Sequence, residues 1–224
     1  MLEMSVMREY KPGMITSLSS YERSSLNNGV DALLKSGYLG SDITNYPSKA
    51  EASLEKITYL LNDFYKNPGK FDTLKSYLGS KGMPLREPSF VGVFDNSPSA
   101  VARTDSENML EVNLYFDDLV GKMMSDYSLS KDAAEELVLS HELVHMAQPS
   151  EVLSARPSPY IAELHAELVL RDYFLNKSDN SSSKADSLKY ESIVRAVESR
   201  ANEYISLLEK NDCCERITNN YLLN

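Results

Sequence analysis

The stretch 138-VLSHELVHMAQPS-150 decides how the rest of the chain is read. It sets His141, Glu142 and His145 among apolar residues that recur at helical spacing. Upstream, Ser130 stands where a helix N-cap belongs, and Asp132 falls in the positive first turn. Downstream, Pro149 discourages continuation beyond Gln148. The spacing therefore predicts a helix that begins near Ser130 and ends near Gln148. On that helix His145 lies about 40 degrees round from His141, one turn further on. Glu142 lies about 100 degrees from His141, at the margin of the same face.

The opposite face carries Leu139, Leu143 and Met146, and charges are confined to the first turns, at Lys131, Asp132, Glu135 and Glu136. The second half of the helix is thus expected to be buried on most sides. Polar groups placed there without partners cost roughly 2 kcal/mol or more apiece. One reading is a structural helix whose two histidines find partners in the core. The other is a metal site, which satisfies all three groups together. Two imidazoles one turn apart have the spacing to bind a single tetrahedral ion. A glutamate beside them can hydrogen-bond water there without binding the metal, as a general base in metal-assisted hydrolysis does. The chain has only three histidines, all between positions 141 and 165, so an accidental match is rare. The metal reading is favoured.

A catalytic zinc takes three protein ligands and keeps one position open. Candidates for the third lie in 160-YIAELHAELVLRDYF-174. Glu163, Glu167 and Arg171 form one stripe of this second helix, while His165 and Asp172 form another, roughly 160 degrees round. Only one stripe can face the ion, so Glu163 and His165 exclude each other; Glu167 is a third candidate. A solvated stripe paired with Arg171 is the structural alternative.

The period of the sequence changes along the chain. Residues 16–35, stopped by Gly37, and residues 47–65 read as helices, the second marked by Leu54, Ile57, Leu60, Leu61 and Phe64. A short helix is predicted over 71–78. Residues 89–94, 100–104 and 110–116 read as strands separated by turns, which implies an antiparallel three-stranded meander. The helix of Tyr160 is introduced by Ser158 at its cap and Pro159 at its first position, and runs to about Asn176. A last helix is expected over 185–209. The fold class is α+β, mainly helical. Residues 1–85 read as a helical N-terminal region packed on a core of residues 86–224.

His141-Glu142-x-x-His145 followed by Glu163-x-x-Ala166-Glu167 resembles the gluzincin group of zinc metallopeptidases, in a compact form, over roughly residues 89–170. The resemblance implies a zincin-like core, one Zn2+ per chain, and Glu163 as third ligand. It implies that Glu167 holds a zinc-bound histidine through its other ring nitrogen. Many members have Asp where this chain has Glu167. The metzincin pattern is absent, because no Gly and His follow His145 at the needed spacing. The resemblance also implies an edge strand, here 110–116, that pairs with substrate backbone, with Asn113, Leu114 and Tyr115 lining the substrate. The alternative is a strand that packs its apolar face and touches no ligand.

The implied activity is hydrolysis of peptide bonds, endopeptidase rather than exopeptidase, with Glu142 as general base. An oxyanion donor is expected among Tyr160, Arg171, Tyr190, Arg195, Arg200 and Tyr204, with the last helix the first place to look. Two other readings are a zinc-binding interaction module without catalysis and a peptidase inhibited by its own N-terminal helices. The formal net charge of −10 argues against nucleic acid or an anionic membrane as partner, and the partner that the resemblance implies is a peptide or protein substrate. The sequence has no apolar run of membrane-spanning length and no signal-like start, so a cytoplasmic location is expected. Cys213 and Cys214 are adjacent and cannot staple distant elements.

Overall fold

The structure is a computed structural model, and it describes residues 4–9, 46–67, 70–95, 101–104, 109–113, 115–154 and 160–210. The helix expected over 16–35, the Ser158-Pro159 helix start and the cysteine pair lie outside the described residues. The elements run β1 (Met4–Glu9), α1 (Tyr46–Lys66), α2 (Phe71–Ser80), β2 (Phe90–Asp95), β3 (Ala102–Thr104), β4 (Met109–Asn113), α3 (Phe116–Tyr127), α4 (Lys131–Ala147), α5 (Ser150–Leu153), α6 (Tyr160–Asp179) and α7 (Lys184–Lys210). The molecule is α+β and mainly helical. No helix among the described residues is long and apolar enough to cross a membrane.

The chain divides into two compact units, residues 1–71 with 87–119 and residues 72–86 with 120–224. This differs from the expected split at residue 85. The strands that follow residue 87 share a unit with α1, and α1 packs on β2 and β4. The helix forms because Leu54, Ile57, Leu61 and Phe64 recur on one stripe, all buried. They face a sheet interior built from Val91, Val93, Leu110 and Val112.

The sheet corrects the expected meander. It has four strands in the order β1-β2-β4-β3 and is mixed. β1 pairs antiparallel with β2, and β3 antiparallel with β4, but β2 and β4 run parallel, with Val91 opposite Leu110 and Val93 opposite Val112. β4 enters between β2 and β3, so consecutive strands 2 and 3 are not neighbours. β4 is buried from Leu110 to Asn113 without alternation, so both of its faces are covered as well as both of its edges. Its one charge, Glu111, is neutralised by Arg103 Nε at 2.6 Å, and that guanidinium lies 4.3 Å from the centre of the Phe94 ring.

In the second unit α6 and α7 make the most extensive helix pair. Ile161 and Leu164 near the start of α6 pack with Ala201 and Leu208 near the end of α7, so the two helices run antiparallel. Ser183 opens α7 by accepting the Asp186 N–H at 3.0 Å. A charge cluster ties α4 to both: buried Glu136 accepts from Lys177 at 3.0 Å and Lys189 at 2.5 Å, and Lys189 also pairs with Asp132. On α2, Tyr77 packs its ring against Tyr173 of α6 at 5.4 Å. Gly82, at φ 74°, closes α2 in a conformation that other residues adopt only with strain.

Candidate metal centre

α4 is built as its sequence predicts. Ser130 caps it, accepting the Ala133 N–H at 3.2 Å, and Gln148 ends it. Leu137, Leu139, Leu143 and Val144 are all buried, and so are His141 and Glu142. The residues around His141 thus sit inside the second unit, with polar groups that need partners.

Those partners come from α6 and α7. His141 Nε2 and His145 Nε2 stand 2.9 Å apart. Glu163 Oε2 lies 3.1 Å from His141 Nε2, and Glu163 Oε1 lies 3.5 Å from His145 Nε2. Three donor atoms from two helices therefore converge on one point, with one carboxylate and two imidazoles in the set. Atoms held about 2.0–2.2 Å from a common tetrahedral ion stand about 3.3 Å from each other. The observed separations bracket that edge.

The outer nitrogens of the two rings decide what the inner ones offer. His141 Nδ1 lies 3.2 Å from Glu167 Oε1, close enough for an ion pair though out of line for a hydrogen bond. Glu167 is fully buried, and Arg200 Nη2 from α7 lies 2.7 Å from the same oxygen. On the other ring, His145 Nδ1 lies 2.8 Å from Gln148 Oε1. The Gln148 oxygen at His145 Nδ1 places a proton there and turns that ring's Nε2 lone pair inward, the form a metal needs, and the Glu167 charge beside His141 Nδ1 favours the same tautomer whenever that ring is neutral. The residues present fit a zinc ion.

Charge at the site follows from these contacts. Burial alone pulls the His141 imidazole down, but the Glu167 charge and the contacts with Glu163 and Glu167 prevail and push it up to about 9. Burial raises the Glu163 carboxyl, yet its contacts with His141 and His145 outweigh that and hold it well below the usual carboxylate range. Glu142 is pushed upward by burial, only partly offset by the two histidines. Tyr204 donates its hydroxyl to Glu163 Oε2 at 3.2 Å, and burial with the Glu163 charge keeps that hydroxyl protonated.

The expected residues separate cleanly. His141, His145 and Glu163 come together, with Glu142 beside His141 on α4 and Glu167 behind it. His165, the rival ligand, is not in the set: its Nδ1 lies 3.1 Å from Gln148 Nε2, and burial lowers its pKa. Of the six oxyanion candidates, only Arg200 and Tyr204 reach the group. Arg171 pairs with Asp172, Tyr190 stacks on Phe174, Tyr160 packs into the α6–α7 seam and Arg195 is exposed. Gln148 enters the sequence reading as a helix end with no role of its own; its place three residues after His145, on the face of the two histidines, is the signal that could have found the contact.

The substrate-strand expectation needs correction. β4 is interior, with β2 on one side and β3 on the other, so its backbone offers no open edge to a peptide. Asn113 is buried, and its side-chain oxygen accepts the Tyr115 N–H at 3.0 Å, a local turn into α3. Tyr115 is exposed, and Leu114 lies outside the described residues.

No protein-family model matches the chain, and no curated protein or solved structure matches it either.

Proposed function

We propose that this chain is a zinc-dependent hydrolase of peptide bonds, built on a gluzincin-like arrangement. The observation that carries this reading is the convergence of His141 Nε2, His145 Nε2 and a Glu163 carboxylate oxygen, with buried Glu142 on the same helix. A structural metal site has no need of that fourth group; a hydrolytic one does.

His141, His145 and Glu163 would hold the ion. When bound there, zinc supplies Lewis acidity, polarising a carbonyl and making water acidic enough to react near neutral pH. Glu142 takes the proton of the attacking water and passes it to the departing amine. Its dry surroundings suit this, because burial makes its carboxylate a stronger base than one in water. Tyr204 keeps its proton and stands at the donor cluster, where its hydroxyl can turn from Glu163 to a developing oxyanion. Arg200 stays with Glu167 and serves the site by holding that carboxylate in place. The peptide-bond specificity rests on the gluzincin resemblance.

The test is metal analysis of the purified protein beside a Glu142→Gln variant, each in a general peptide-cleavage assay. Zinc in both proteins with cleavage only by the wild type is the expected result. A wild type without zinc ends the proposal. Zinc in both with cleavage by neither makes the site structural, and the chain a zinc-stabilised interaction module.

A further inference from the structure

Gln148 is the last residue α4 places near the donor cluster, and its amide is fully occupied. Its Nε2 donates to the Ala162 carbonyl at 2.7 Å. The same Nε2 lies 3.1 Å from His165 Nδ1, with a second N–H to give. An amide nitrogen only donates, so these two contacts fix which end of the side chain is which. The oxygen then has one direction left, and it lies 2.8 Å from His145 Nδ1. An amide oxygen only accepts, so Nδ1 must carry the proton of a neutral His145. Gln148 is buried at 7% exposure, so water does not compete for these bonds.

We infer that Gln148 is a positioning residue for the metal site: it holds His145 in the tautomer that presents Nε2, and it sets the distance between the two ligand helices. The second role follows from Ala162. That residue precedes Glu163 in the first turn of α6, and Gln148 ends α4 three positions after His145. One side chain therefore locks the histidine ligand on α4 to the carboxylate ligand on α6. His141 has its own device in Glu167 and Arg200, from α6 and α7. The two imidazoles are thus oriented by different means, one ionic and one neutral, and losing Gln148 leaves His141 untouched. His165 follows from this as a neutral acceptor that occupies the second amide proton, and it has no place among the ligands.

This inference rests on the metal reading above, and the experiment separates the two. Zinc affinity is measured by chelator competition for the wild type, Gln148→Met and Gln148→Glu. Met fills the space without hydrogen bonds; Glu keeps an acceptor for His145 and loses the donor to Ala162. Gln148→Met should bind zinc about 10- to 100-fold more weakly, as for other residues that orient metal-binding histidines. Gln148→Glu should recover about tenfold or more of that loss. Nitrogen chemical shifts of His145 in the wild type, with and without zinc, should report Nδ1 protonated. Wild-type affinity in Gln148→Met, equal losses in the two variants, or a His145 proton on Nε2 alone overturns the inference while leaving the metal site standing. A wild type that binds no zinc removes the metal reading instead, and the nitrogen shifts still test the Gln148 contact. Should Gln148→Met fail to fold, the wild-type shifts and Gln148→Glu decide.

Discussion

Arg200 on α7 stands 2.7 Å from Glu167 on α6, and the carboxylate it faces has no exposed surface. Burial works against the Arg200 charge, but the Glu167 carboxylate more than restores it, so the guanidinium is held more firmly protonated than usual. Removing one member of a buried pair leaves the other uncompensated, at a cost of about 3–5 kcal/mol. Arg200→Met should therefore destabilise the protein by about 3 kcal/mol, partly relieved by His141 beside the same oxygen. The double variant Arg200→Met with Glu167→Leu should regain most of that stability yet bind zinc about 10- to 100-fold more weakly. Denaturant melts and chelator competition on the two proteins check both halves. Equal stability of the single and double variants would show that the pair is not a closed unit.

Glu142 places a carboxylate where the fold disfavours its charge. Burial raises its pKa, so the folded state prefers the protonated form and resists ionisation as pH rises above 4.5. Stability is then lost with rising pH, and a neutral isostere removes the loss. Glu142→Gln should stabilise the metal-free protein at pH 7 by roughly 1 kcal/mol while abolishing cleavage, the usual exchange of stability for activity at a catalytic position. Thermal melts in chelator and a peptide-cleavage assay give the two numbers. A variant less stable than the wild type would mean that Glu142 has a structural partner.

Several parts of this molecule are legible in the sequence because they are local. Ser130, the apolar spacing and Pro149 define α4 by their own chemistry, and the histidines share a face by helix geometry alone. Glu163 and Glu167 are legible as candidates, but the choice between them and His165 depends on which stripe of α6 faces α4. That is a tertiary fact, settled by Gln148 and by Arg200 from a helix far along the chain. The sheet order is non-local in the same sense. Alternation and turns suggest three strands in sequence, whereas β4 inserts between β2 and β3, and only its unbroken burial betrays a central strand. The helix α3 is hidden because Phe116 extends the apolar run of β4 and Gly121 breaks the helical pattern; a Cβ at Gly121 would meet open space, so that glycine serves no packing need. β1 escapes notice because its pairing with β2 spans most of the first unit.

A metal bound at His141 would have to compete with a proton for the same nitrogen. In the metal-free protein the imidazole is raised from 6.5 to about 9, so its stabilising contribution is whole below pH 6.5 and disappears as pH climbs through about 9. Glu163 is shifted the other way, so its contribution holds above pH 4.5 and fades as pH falls below it. These two groups set a stability optimum between about pH 4.5 and 6.5 for the metal-free protein, and buried Glu142 draws it towards the lower end. Zinc must displace the Nε2 proton, so affinity should strengthen with pH up to about 9, and binding at pH 7 should release about one proton. Melts across this range with chelator, and calorimetry in buffers of different ionisation heat, test the two statements. Metal-free stability that rises between pH 7 and 9 contradicts the first; zinc binding without proton release contradicts the second.

Glu136 offers a way to separate damage to the fold from damage to the site. It belongs to α4, like the two histidines, but its carboxylate turns to Lys177 of α6 and Lys189 of α7. Both oxygens are used, and its side chain is 1% exposed. Lys177 further lies 4.3 Å from the centre of the Tyr190 ring, so the cluster is braced by an aromatic face. Glu136→Leu leaves two half-enclosed ammonium groups without their shared anion; Lys189 retains exposed Asp132, while Lys177 keeps only the ring faces of Tyr173 and Tyr190. The expected loss is about 3 kcal/mol of stability. None of these groups touches His141, His145 or Glu163, so the folded fraction should keep wild-type zinc affinity and one zinc per chain. The comparison with Arg200→Met is then decisive. Both variants lose similar stability, but only the pairing of Arg200 with Glu167 is continuous with a ligand. Chelator competition well below both melting points should find affinity weakened in Arg200→Met and unchanged in Glu136→Leu. Equal weakening in the two would mean that zinc affinity tracks the stability of the helix packing as a whole, and that Glu167 does not act on His141 directly.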